Sequence, residues 1–199
     1  MEKKYVIYNK FARLVFVFLS VSIYPSFAEE NESFFPFGAS RVDSFVSSWY
    51  SSMLTALGEK SIYRRKSDAT IEVYRFTCLR TFHHPFSIRI EVTGGTSLLF
   101  FKMTDGQGGY QPGQLITDER IILGNVETDN IRNLFKKEFL SLESREKNKA
   151  GCDGSQWIIE YLVNGKYHIV DRWTPIQGPV YSIGKYFIDL SKGKIDELY

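Results

Sequence analysis

The sequence predicts an α+β fold, a mainly antiparallel sheet of about six strands with helices packed against one face. Three observations carry that expectation. Hydrophobic spacing changes from three-and-four to strict alternation after residue 66, and changes back near residue 128. The early strand-like runs follow one another through connections too short for a crossover, so they pair antiparallel. Strands come in groups separated by single helices, in the order helix, four strands, helix, two strands, helix, and not in strict alternation.

The first helix is expected over 40–58. Ser40 can cap it, Asp43 can reach back, and Gly58 stands at its C-terminal stop. Val42, Phe45, Val46, Trp49, Met53, Leu54 and Leu57 form one apolar stripe, read as core. Thr70 to Arg80 is a β-branched and aromatic strand. Phe86 to Val92 alternates Phe86, Ile88, Ile90 and Val92 against Ser87, Arg89 and Glu91. Thr93-Gly-Gly-Thr96 turns the chain into Leu98 to Thr104, a loop with four glycines spans Asp105 to Gly113, and Leu115 to Leu123 follows as a fourth strand. A second helix is expected over 128–142, with Ile131, Leu134, Phe135, Glu138, Phe139 and Leu142 along one side and only Glu138 breaking the apolar stripe. Asn164-Gly165 marks a hairpin between strands 156–163 and 166–173. Pro179 opens a third helix and Gly193 ends it.

Residues 1–28 read as a signal peptide: a basic start with Lys3, Lys4, Lys10 and Arg13, an apolar run from Leu14 to Tyr24, and small residues before a cut after Ala28. These eleven uncharged residues span roughly 16 Å as a helix, against a bilayer core of about 30 Å. The segment is therefore expected to engage the membrane only before cleavage, with an uncleaved anchor as the competing reading. Residues 29–199 are expected to fold as a single α+β domain in the periplasm or outside the cell. The whole chain has 25 basic and 23 acidic residues; without the leader, 21 basic and 22 acidic remain, so nucleic acid is not expected as a partner. In an oxidising compartment Cys78 and Cys152 are expected to form a disulfide, with two separate buried thiols as the alternative.

Candidate chemistry is sparse. The hairpin register puts Trp157 beside Arg172 and Tyr161 beside His168 on one face. On the other, Glu160 and Asp171 lie diagonally, roughly 5.5–8 Å apart. Two carboxylates at that separation can share acid and base roles, or simply bind arginines. His83 and His84 precede Pro85 at a strand corner; adjacent strand residues point to opposite faces, so no metal site is expected. The glycine loop carries Tyr110 but lacks the Gly-Lys-Ser/Thr ending of a phosphate cradle. No nucleophile elbow occurs, and no cofactor is expected. His83, His84, Tyr110, Trp157, His168 and Arg172 are the candidates for a ligand or interaction surface.

Arg80-Thr-Phe-His-His-Pro85, Asp105-Gly-Gln-Gly-Gly-Tyr-Gln-Pro-Gly113, Asp153-Gly-Ser-Gln-Trp157 and Gly165-Lys-Tyr-His-Ile-Val-Asp-Arg-Trp-Thr-Pro175 together resemble a group of uncharacterised exported bacterial proteins of comparable size, over about Tyr74 to Leu190. The resemblance implies a shared fold and brings no catalytic residue, since the group has no assigned activity. The preferred reading is a non-enzymatic binding or cell-envelope protein, docking a partner through its sheet edge. A small hydrolase and an inhibitor or immunity-type protein are the alternatives. Oligomeric state stays open at this point.

Overall fold

Six strands pair into one sheet: β1 (Ile71–Arg80), β2 (Phe86–Thr93), β3 (Thr96–Thr104), β4 (Leu115–Leu123), β5 (Ser155–Val163) and β6 (Lys166–Trp173). Every pairing is antiparallel, and the order across the sheet is β4-β3-β2-β1-β5-β6. The computed structural model describes residues 34–36, 44–146, 151, 153–192 and 194–195, all within one unit, Glu32–Tyr199. The expected signal peptide lies outside the described residues, as does Cys152, the expected partner of Cys78. No helix among the described residues is long and apolar enough to cross a membrane.

The meander β1 to β4 forms through short turns, as the alternation predicts. The 124–154 segment then brings the β5–β6 hairpin back to the free side of β1, which makes β1 an interior strand. At the hairpin tip Asn164 and Gly165 have φ of 50° and 71°, the left-handed pair that a type I′ turn needs. That turn fixes Val163 opposite Lys166 and Trp157 opposite Arg172, the register expected from sequence.

Helices cover both faces of the inner strands, which corrects the expectation of one. On one face, Tyr74, Phe76, Phe86, Ile88, Trp157 and Ile159 pack under α2 (Asn125–Leu134), α3 (Lys137–Leu140) and α4 (Pro179–Leu190), through Ile131, Phe135, Phe139, Ile183 and Phe187. On the other, Leu79, Ile158 and Ile169 meet α1 (Ser44–Ala56) through Val46, Tyr50, Met53 and Leu54, with Phe34 and Phe35 beside it. The reason is legible in β1 and β5 afterwards: both alternate sets carry large apolar residues, the mark of a strand buried on two sides. The capping residues proposed for the first helix, Ser40 and Asp43, lie outside the described residues.

The helix expected over 128–142 is two helices. At Phe135 the backbone leaves helical geometry (ψ 19°). Its ring seats among Tyr74, Phe139, Tyr161 and Phe187, with centroids 4.8–6.2 Å away. The apolar stripe runs on across the break, so periodicity alone joins the two pieces.

Candidate interaction surface

The β1–β2 corner and the glycine loop form one structure at an end of the sheet. Arg80, buried, donates from Nε and Nη2 to the His84 carbonyl at 3.1 and 2.7 Å, which fixes the corner. Gly108 N–H donates to Arg80 O at 2.9 Å, and the His84 Nδ1 lies 3.1 Å from Gly106 O. From the far side, α1 adds a hydrogen bond from Trp49 Nε1 to Gly108 O at 3.2 Å. The loop closes on itself through Gln107 N–H to Gln111 O at 2.8 Å and Gln114 N–H to Asp105 Oδ1 at 2.7 Å.

Glycine is required at two of these positions by space. A Cβ on Gly108 would stand 2.5 Å from Arg80 N, and one on Gly106 would stand 2.1 Å from Gln111 O. Backbone thus packs on backbone, and the loop has no slack. This rigid base holds aromatic rings in water: Tyr110 is 78% exposed and Phe82 58% exposed. A Cβ placed on Gly109 would stand 3.8 Å from Thr81 Cα, so Tyr110 and Phe82 follow in sequence from neighbouring backbone on the two segments. His83 is half-buried and His84 exposed at the same corner. Three of the six candidate residues, His83, His84 and Tyr110, therefore converge.

The other three do not join them. Trp157 is 2% exposed and is corrected from surface to core. Its ring stacks on Tyr181 at 6.1 Å, lies against Gly184, and donates from Nε1 to Ser155 Oγ at 2.8 Å. Arg172 turns away from it and donates to the carbonyls of Asp171 and Glu143 at 2.6 and 2.9 Å, with Glu146 at 3.5 Å. It lines a groove of about 570 Å³ between Leu142 and the 173–180 segment. His168 is half-buried, its ring edge-on to Phe139 at 5.3 Å, and burial holds its pKa below the usual value against the opposing pull of the Leu142 and Phe139 backbone.

The two carboxylates have separate structural roles. Glu160 is fully buried and takes Arg75 Nε at 2.7 Å, a second Arg75 nitrogen, and the Tyr167 hydroxyl at 2.9 Å. Arg75 also donates to Glu59 and to Lys60 O, and Arg89 donates to Glu59 at 2.7 Å. The expectation that these carboxylates simply bind arginines holds for Glu160, but the sequence did not show which arginine, because nothing local links Arg75 to a partner 85 residues away. Asp171 accepts from Tyr50 Oη at 2.8 Å, and burial raises its carboxyl above the ordinary range. His84, His168 and Asp171 stand in three places with no shared cleft: the corner, the α3 side of the sheet and the α1 side.

Cys78 is fully buried in the main core and hydrogen-bonded with Ser155; burial pushes its thiol up to about 12. Among the described residues no three His, Cys, Asp or Glu side chains gather as a metal would need. No protein-family model matches the chain, and no curated protein matches it. The tip carries Phe82, His83, His84 and Tyr110 on two backbone segments that dock tightly on one another. Phe82 also escaped sequence reading; its signal was a large apolar residue in a corner where no alternation assigns it to the core.

Proposed function

We propose that the chain is an exported, non-enzymatic binding protein that receives a protein or cell-envelope partner on the tip formed by Phe82, His83, His84 and Tyr110. One observation carries this: two large rings stand mostly in water on a backbone that close glycine packing keeps from folding them away. Aromatic side chains in such positions dominate binding energy in protein interfaces, because they bury much area for little lost freedom. Preorganised backbone lowers the entropic cost of association further. The leader-like segment at 1–28 supports the exported part of the reading.

The test compares immobilised mature protein with a Phe82→Ala/Tyr110→Ala double variant against solubilised envelope and periplasmic fractions. A partner held by the native protein should bind the variant at least about thirtyfold more weakly, the loss of a hot spot worth about 2 kcal/mol. Circular dichroism should be unchanged, since neither ring is in the core. Equal retention by both proteins would remove the tip from consideration. If the retained partner is an enzyme whose activity falls on binding, the inhibitor-type reading is the correct form of this function.

A further inference from the structure

β4 is an edge strand, and its sequence is self-complementary when read backwards. It runs Leu115-Ile-Thr-Asp-Glu-Arg-Ile-Ile-Leu123, apolar at both ends with opposite charges flanking Glu119. Among the described residues nothing pairs with its outer side. The opposite edge differs: along β6, Asp171 N–H donates to Ser144 O at 2.7 Å and Arg145 bridges to Asp171. Ile116 and Ile122 are 53% and 78% exposed, and Leu115 is 41% exposed. An exposed nine-residue edge with apolar ends is a template for another strand.

We propose that this edge binds a second copy of the chain, β4 against β4 antiparallel about a two-fold axis at Glu119, to form one continuous sheet. That alignment pairs residues of the same parity, so outward backbone groups meet outward backbone groups and each side chain stays on its own face. It sets Asp118 against the partner's Arg120, and by symmetry does so twice. The regular stretch ends at Thr117, because β3 leaves Ile116 unpaired, so the apolar ends Leu115–Ile116 and the partner's Ile122–Leu123 lie beside one another without strict register. The register shift at Met103/Thr104 lies at the start of β4, which leaves the central Asp118–Arg120 stretch in regular pairing with β3.

The charges favour a copy over an unrelated strand. Charges placed to repel a neighbour would carry one sign across the edge. Here Asp118 and Arg120 are equidistant from Glu119 and opposite in sign, so the edge attracts itself. Glu119 would meet its own kind on the axis, but Lys194 of the same chain already holds that carboxylate. Arg120 is supported from below by Phe100, 5.6 Å from the ring centroid, with Arg89 at 4.2 Å over the same ring. The proposal does not depend on the tip, which lies on different residues.

Sedimentation of the mature protein from micromolar to near-millimolar concentration tests it. The native chain should shift from monomer to dimer over that range. Asp118→Arg and Arg120→Asp should each raise the dimer Kd by about tenfold or more, since each replaces two attractive cross-strand pairs with two repulsive ones. An equimolar mixture of the two variants should form a heterodimer, because both pairs become complementary again. The double exchange D118R/R120D should restore the homodimer. A native chain that stays monomeric throughout overturns the proposal, as do single variants that dimerise like the native protein, or folded variants that fail to associate on mixing.

Discussion

At the scale of single residues, the α1 side of the sheet buries charge in two contrasting ways. Arg75 and Glu160 satisfy one another with further help from Glu59, Lys60 O and Tyr167. Such a pair is costly to break by removing one member, yet adds little against an apolar replacement of both. Asp171 is less well served: it has the Tyr50 hydroxyl on one oxygen, while Oδ1 is buried without a hydrogen bond. Burial raises its pKa above the ordinary 3.8, against the opposing pull of Tyr50, Arg145 and Arg172. The native state therefore favours the protonated acid. That contribution is complete below about pH 3.8 and is lost as pH rises through the raised native pKa. Asp171→Asn does not titrate, so the stability of the native chain relative to this variant should fall as pH rises from about 3.8 through the raised native pKa. Urea unfolding of both proteins across that interval measures it. A difference that is flat, or that grows with pH, contradicts the assignment.

At the scale of elements, legibility followed the range of the signal. The β5–β6 hairpin was readable residue by residue because Asn164-Gly165 sets the turn and the turn sets the register. The bounds of β4 came out as expected for a fourth strand following the glycine loop. The break at Phe135 was not, since it follows from where one ring packs in three dimensions. Nor was the burial of Trp157, which depends on α4 presenting Gly184 to it. Of the site, His83, His84 and Tyr110 were visible as unusual residues, but their meeting depends on Gly108 docking onto Arg80 across the loop. The seat of α4 gives a direct test. A Cβ on Gly184 would lie 2.2 Å from Trp157 Cζ3 and 3.2 Å from Phe76 Cζ. Gly184→Ala should thus destabilise by about 1–3 kcal/mol through overpacking, although alanine gains up to about 1 kcal/mol in an isolated helix. A urea midpoint that is unchanged or higher would mean that α4 does not rest on Trp157 this way.

At the scale of the whole molecule, strand order and helix placement together set a gradient of protection. β1 lies between β2 and β5, and nine of its ten residues are buried. β5 follows it, with α1 against one face and α4 against the other. β4 is the contrary case: it has one neighbour, and six of its nine residues are exposed. Local opening needs few contacts to be broken there, whereas exchange in β1 needs the sheet to come apart. In dilute protein, backbone amides of β1 and β5 should exchange last, near the global unfolding limit, and those of β4 among the first of the strands. Concentrating the protein supplies the proposed second copy and should slow exchange in β4 while leaving β1 unchanged, because mass action stabilises only what the partner covers. Hydrogen-exchange mass spectrometry at two concentrations reads both halves. Slow exchange in β4 at high dilution would show that the edge is covered within one chain. A rate in β4 that ignores concentration would leave no place on this sheet for a second copy.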